Sequence, residues 1–594
     1  MRRMHAPHAE RRGAGAFLLA ALQLAAAHLA APSSAAAQAA RGAGAAADSA
    51  LGACLGGVIA SVEVTRERSR TIGRWAPRWA APTLEYLLLG EPTRESVVRD
   101  YLLLREGERC DEFRRRESER ILRAQPFIAG ATVRTVPDGA GGERLQIETE
   151  DEIPMQAGLR THGVEPSYLS LGSRNVEGRG VSVAGEWTRG FAYREGFGIA
   201  ATDYHAFGGP NVVSGYATRR PRGDAYGLDV GHPFLTSAQR FAWTAGVASH
   251  EDYVGFVQPR DETVSVPYER RLWGAAAIAR IGTHRLAAFA GPVLARESGR
   301  ARAPVFVTDS GLVAAPPSMV DGLYPDIDRT RLGAVLGVRA LSFLEVTGFD
   351  ALAGTQDVAR GAQLATTFGA GVPWFGGADR QPFVSADLYA GAGTERTFVA
   401  LRTIIEGHGA APGSGWDDVV ASGRLALYLK RRPRRTLITS LEYSGAHHST
   451  VPYQLTLGAR NGGVRGYAGS HVAGARRAVV RVENRWFLAS LSRRLGVGAA
   501  AFGDVGKVWA GDVPGGTTTL LRPSIGASAL FAYPPRSRRL ARIDVAVPLA
   551  PDRGARALDV RFLISRPLSA FWREPDDLRG ARAGAPEASL IRWP

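Results

Sequence analysis

From about residue 155 the chain alternates apolar and polar positions in segments of roughly ten residues, separated by Gly, Pro, Asn and Asp. In the run 477–488, Arg477, Val479, Arg481, Glu483, Arg485 and Phe487 share one face of a strand, and Ala478, Val480, Val482, Asn484, Trp486 and Leu488 share the other. One face is mostly charged, the other mostly apolar. The same pattern recurs where Ile543, Val545, Val547 and Leu549 oppose Arg542 and Asp544, and where Leu558, Val560, Phe562 and Ile564 oppose Asp559, Arg561 and Ser565. Leu425, Leu427 and Leu429 likewise oppose Ser422, Arg424 and Tyr428. A soluble sandwich or propeller would need a cover for each apolar face, and no helical segments are available to supply it. A membrane barrel puts those faces in lipid and turns the charges into a wet lumen. Closure pairs every backbone amide, which lipid demands of a spanning sheet. The expected fold class is an all-β transmembrane barrel over 153–571. The segments 304–328 and 407–418, rich in Pro, Gly and Asp, are expected to be loops outside the membrane.

A different pattern precedes the barrel. Val58–Val64 alternates as a strand, with Ala60, Val62 and Val64 on one face. Thr93 is placed to cap a helix with a stripe of Val97, Val98, Tyr101 and Leu102, broken by Gly107. Asp111 is placed to cap a second helix bearing Phe113, Ile121 and Leu122, ended by Pro126. Two strands follow, at 131–136 and around Leu145, Ile147 and Thr149, joined by a Gly-rich turn. Residues 55–152 therefore form a small α+β domain of order strand-helix-helix-strand-strand.

Composition adds an address. Arg2, Arg3, Arg11 and Arg12 precede an Ala/Leu-rich stretch and the small-residue site 35–37, so 1–37 is expected to be a cleaved signal peptide, with 38–54 a linker. Export makes Cys54 and Cys110 a candidate disulfide. The rival reading, a lipoprotein box at Leu51–Cys54, puts its cysteine well past the apolar run instead of directly after it. The formal net charge of +16 is carried almost wholly by arginines spread along the chain, which argues against a nucleic-acid partner. Arginine can pair with outer-membrane lipid phosphates. No Gly-x-Ser-x-Gly elbow is present, no metal-ligand spacing surrounds His447-His448, and Asp326 and Asp328 read as a solvated loop pair. No enzyme activity, cofactor or metal is expected.

The sharpest motif lies between two barrel strands. A long Gly-rich loop carries Val464-Arg465-Gly466-Tyr467, and about forty residues on, Phe502-Gly503-Asp504-Val505-Gly506 follows a strand containing Glu483-Asn484-Arg485-Trp486. Period two puts Phe502, Asp504 and Gly506 on the lumenal face, with Glu483 inward on the strand before. An arginine entering from the loop can then meet two carboxylates, in a bidentate geometry that lysine does not offer. These motifs resemble the BamA/TamA outer-membrane assembly superfamily, also called the bacterial surface antigen family.

The resemblance implies about 16 strands, a loop folded into the lumen by its Arg465, and barrel-wall partners Glu483, Arg485, Phe502, Asp504 and Gly506. It also implies that 55–152 is a POTRA-like periplasmic domain, from which the insert 66–92 departs. The implied function is assembly, insertion or translocation of other proteins at the outer membrane. The implied partners are unfolded client proteins, outer-membrane lipid, and periplasmic chaperones or lipoproteins. A different class of function, a plugged channel or surface receptor on the same fold, remains open. The polar tail 572–594 could enter the lumen or lie in the periplasm.

Overall fold

The computed structural model describes residues 52–67, 90–162, 165–191, 194–220, 223–258, 263–308, 311–320, 322–377, 379–409, 415–459, 462–491, 495–564 and 572–591. The expected leader, most of the linker and most of the 66–92 insert lie outside these residues.

The first domain comprises β1 (Ile59–Glu67), α1 (Glu95–Asp100), α2 (Glu112–Ala124), β2 (Ile128–Pro137) and β3 (Glu143–Asp151). Its sheet has the order β1-β3-β2, β1 running parallel to β3 and β2 antiparallel to it. Ile59, Val62, Val98, Ile121, Leu122, Val133, Leu145 and Ile147 form one core. Asp111 caps α2 by accepting from the Arg114 amide at 2.8 Å, which satisfies one of the free donors at a helix start. Cys54 and Cys110 are joined by a disulfide, their Cα atoms 5.5 Å apart.

Two details differ from the sequence expectation. A register shift between Ile59 and Ser61 turns Ile59 inward and Ala60 outward, because a bulge resets the period-two alternation. Helix α1 starts after Arg94, not Thr93: the Thr93 hydroxyl donates to Asp151 of β3 and accepts from the Asn175 side-chain amide, each at 2.8 Å, and no side chain caps the helix.

The remainder is a closed antiparallel barrel. Its wall begins with β4 (Met155–His162), β5 (Glu165–Ser173), β6 (Val181–Phe191), β7 (Arg194–Ala206), β8 (Asn211–Arg220) and β9 (Gly223–His232). It continues through β10 (Phe241–Val257), β11 (Thr263–Gly282) and β12 (Ala287–Ala301). A small hairpin, β13 (Val305–Thr308) and β14 (Gly311–Ala314), rises before β15 (Ile327–Thr347). Next come β16 (Thr355–Gly371), β17 (Pro382–Gly393), β18 (Thr397–Gly409), β19 (Trp416–Arg432) and β20 (Arg435–His447). The long loop holds β21 (Leu455–Thr456) and β22 (Ala473–Gly474), which pair with each other. The wall ends with β23 (Arg476–Leu491), β24 (Leu495–Trp509), β25 (Arg522–Ala532), β26 (Ala541–Pro548) and β27 (Asp559–Ile564). The order closes with β27 beside β4.

Among the described residues 22 strands join this sheet; β12 pairs directly with β15, so the β13–β14 hairpin stands outside the wall and 20 strands remain in it. The wall is thus larger than the expected sixteen or so. Beyond the β13–β14 hairpin, β4 to β9 belong to the wall, each laddered to its neighbours along its length. The segment 304–328 contains the hairpin, and strands β18 and β19 reach into 407–418.

Outward positions are apolar and exposed, for example Leu336, Val338, Leu441, Val480, Val545 and Phe562, while Arg270, Glu297, Arg402, Glu483, Asp504 and Arg561 are buried inward. No described helix is long and apolar enough to cross a membrane.

Alternate hairpin connections lie on one rim, and the first domain docks there. Glu117 accepts from Thr236 at 2.7 Å, Arg123 pairs with Asp357 and Glu345 at 2.7 Å each, and Ser537 donates to Glu152 at 2.7 Å. Asp100 lies 2.8 Å from His205, and Arg539 donates to the Pro126 carbonyl at 2.8 Å. These contacts involve the ends of β7, β15 and β16 and the connections β9–β10 and β25–β26, so the domain is held by several separated points.

Candidate functional site: a braced loop in the lumen

The loop between β20 and β23 enters the barrel from the opposite rim. Leu457, Val464, Tyr467, Val472, Val479 and Val508 form a buried cluster that seats it against the wall. Gly466 has φ +94°, a conformation most side chains avoid, and its amide donates to Asp559 at 2.9 Å. The Tyr467 hydroxyl donates to the Pro523 carbonyl at 2.9 Å, beyond the strand that holds the arginine's partner.

Arg465 is the centre of the arrangement. Its Nε and Nη2 donate to Asp504 Oδ2 and Oδ1 at 2.8 and 2.7 Å, a two-point contact with one carboxylate. Its Nη1 donates to Glu483 Oε2 at 2.7 Å, and its own amide to Asp504 at 3.2 Å. The guanidinium lies 3.5 Å from the centroid of the Phe502 ring, in cation–π position. Phe502 and Asp504 alternate on β24 and Glu483 faces them from β23, where Arg481 is paired in register with Asp504. Arg485 donates to Glu483 at 2.5 Å and to the carbonyls of Phe349 and Asp350 at 3.0 and 3.1 Å. It thus links the loop's anchor to the β15–β16 connection at the domain-bearing rim.

The network extends beyond the residues singled out by sequence. Arg481 reaches Asp504 at 3.3 Å and the Gly463 carbonyl at 2.8 Å. Arg542 contacts Glu483 at 3.0 Å and Asp544 at 2.7 Å, and Arg561 contacts Asp559 at 2.7 Å. Arg542, Asp544, Asp559 and Arg561 all occupy the charged phase of β26 and β27. That phase is their only signal in the sequence; nothing there shows that Arg542 meets Glu483, 59 residues away. A cavity of about 190 Å³ borders this network, lined by Arg465, Glu483, Arg542 and Asp544 among others. That is room for several waters.

A second element fills the lumen. After β27, residues 572–591 run inside the barrel and form two short helices, α3 (Asp576–Arg579) and α4 (Ala588–Ile591). Arg582 pairs with Glu574 at 2.7 Å and with Glu406 of β18 at 3.1 Å, and donates to Ser422 of β19 at 2.9 Å. The wall also grips the segment by its main chain: Arg270 donates to the carbonyls of Gly580 and Arg582 at 2.5 Å each, and Gln363 to that of Ile591 at 3.0 Å. Leu590 and Ile591 pack with Phe234, Ile278, Phe289 and Val335.

A closed antiparallel sheet with an apolar outside and an ionised, hydrogen-bonded inside is a membrane-spanning β-barrel, here one braced from within. No protein-family model matches the chain, and no curated protein matches it. Among solved structures it is similar to BamA from Haemophilus ducreyi lacking POTRA domains 1–3, at 11% identity over 85% of this chain and 84% of that one, with a TM-score of 0.39. It is also similar to CdiB from Escherichia coli, at 14% identity over 86% and 76% of the two chains, TM-score 0.40. CdiB from Acinetobacter baumannii gives 11% identity over 86% and 74%, TM-score 0.38.

Proposed function

We propose that the protein is an outer-membrane barrel of the BamA/TamA type, with one POTRA-like periplasmic domain, that assists insertion or translocation of other proteins. The observation that carries this reading is the seat of Arg465 on Asp504 and Glu483, which holds the Val464–Tyr467 loop against β23 and β24 while the Gly466 amide reaches Asp559 of β27 at the barrel's seam. The seam supports it too. The first and last wall strands, β4 and β27, meet there. A parted seam exposes unpaired strand edges, which template an incoming strand by hydrogen bonding. The role is non-enzymatic, and the partners are unfolded client proteins met at the domain and at the seam.

Depletion tests it. Loss of an assembly factor lowers several other outer-membrane proteins together, and photo-crosslinkers placed at 557–564 and on the first domain capture them. If depletion leaves the other outer-membrane proteins at their normal levels, the reading fails.

A second reading, a plugged channel, is favoured by one observation: the 572–591 segment occupies the lumen through buried ion pairs. In that case depletion alters permeability alone.

A further inference from the structure

On the rim opposite the first domain, strand β20 ends at His447 and a second histidine, His448, follows it directly. Neighbouring residues of a strand point to opposite faces, yet these two rings stack, with centroids 3.9 Å apart and planes at 22°. The cause is local: His448 has φ +50°, a left-handed conformation uncommon for a residue with a side chain, and it swings its ring onto the side of His447. Two other connections then converge on the pair. Asp512, between β24 and β25, accepts from the His448 amide at 2.6 Å. Asp417, at the start of β19, has its Oδ1 3.3 Å from His448 Nδ1. One nitrogen from each ring and one Asp512 oxygen lie within 4.8 Å of one another.

We propose that His447, His448 and Asp512 form a binding site for a divalent transition metal of the zinc class. Two imidazole nitrogens and one carboxylate oxygen are the donor set this class prefers, and zinc bonds them at about 2.0–2.2 Å. Donors that share a tetrahedral centre at that radius stand about 3.3–3.6 Å apart, so rotation about the side-chain bonds suffices to close the present spacing. All three residues are exposed, which leaves the fourth position to water. Asp417 supplies the outer carboxylate that commonly holds the far ring nitrogen of a metal-bound histidine, presenting Nε2 of His448 to the ion.

The sequence offers no such spacing, because the ligands come from separate connections. That separation gives the site a consequence. An ion here ties the root of the loop carrying Val464–Tyr467 to the β24–β25 connection, and through Asp417 to β19. The proposal is independent of the assembly reading: neither needs the other.

The test is zinc titration by calorimetry on the full chain in detergent micelles. We expect one zinc per chain with micromolar affinity, weakened at least tenfold in His447→Ala, in His448→Ala and in Asp512→Asn. Asp417→Asn should weaken it about tenfold, as loss of an outer partner does. Zinc should also slow protease cleavage within 448–475 in the parent chain and have no such effect in His448→Ala. Heat-modifiable gel mobility checks that each variant remains folded; these exposed side chains can be replaced without opening the barrel. Zinc affinity unchanged in the histidine variants, or no binding below about 100 μM (about 5.5 kcal/mol), overturns the proposal.

Discussion

The Val464 side chain occupies the space that Gly506 leaves empty: a Cβ at position 506 would fall 2.2 Å from Val464 Cγ2. Strand β24 therefore has a notch at the height where the loop tip lands, and the tip carries a fully buried valine to fill it. Gly506→Ala should push the loop off the wall, at a cost of about 1–3 kcal/mol, the usual range for overpacking. Val464→Ala removes the clashing methyl. Combined with Gly506→Ala it should restore part of the heat-resistant gel mobility that the single variant loses. A double variant no more heat-resistant than Gly506→Ala alone would show that the notch does not seat the loop.

Arg465 and Asp504 should behave as one unit. Removing one member of a dry buried pair costs about 3–5 kcal/mol. The cavity beside this network admits water to the stranded charge and brings the figure toward about 1–3 kcal/mol. The losses in Arg465→Ala and Asp504→Ala should accordingly be non-additive in the double variant. Arg465→Lys should recover little, because an ammonium cannot reproduce the two-point contact with Asp504 while also reaching Glu483. Unfolding of the purified barrel in denaturant reads each term; simple additivity would remove the pairing as the loop's anchor.

Removing residues 572–594 should open the lumen. Single-channel recordings in planar bilayers should show a larger conductance than the parent chain, and Arg582→Ala should give brief openings to the same level. The arginine holds Glu574, Glu406 and Ser422 together, so its loss frees the middle of the segment. Equal conductance in all three proteins would mean that the segment does not limit passage.

The first domain should respond to pH through Asp151. Burial pushes its carboxyl up to about 6, while the amide and hydroxyl of Thr93 pull it back only in part. A raised carboxyl pKa means that the folded domain holds the proton more tightly than the unfolded chain. The contribution is full below the unfolded value of about 4 and is lost as pH rises through about 6. The stability of α1 and its neighbours, followed by hydrogen exchange corrected for intrinsic rate, should fall across that window. In Asp151→Asn the fall should disappear; its persistence there would assign the effect to another group.

Period two makes the wall legible in sequence, because lipid on one side and charge on the other leave a mark at every second residue. The lumenal phase of Glu483, Asp504, Asp544, Asp559 and Arg561 can be read from that alternation alone. The number of strands is harder to read. The short strands β4 to β9 carry Gly, Ala and Thr, whose small side chains blur the contrast between faces. The local departures are harder still: a one-residue bulge at Ala60 reverses a face, and Asp151 and Asn175, distant in the chain, engage the Thr93 hydroxyl that was placed to cap α1. Least legible is the course of the 572–591 segment. Its grip depends on main-chain carbonyls received by Arg270 and Gln363, and carbonyls leave no trace in a sequence.

That segment also constrains the order of folding. Residues 572–591 follow every wall strand in the chain, so they leave the ribosome after β27, yet they are innermost in the finished protein. A cylinder that sealed first would have to admit them afterwards past the braced loop on one rim or the docked domain on the other. The less obstructed course is for the last strands to curl around the segment as β27 meets β4, with its buried charges already paired to β18 and β19. Closure of the wall and filling of its interior would then be a single kinetic step.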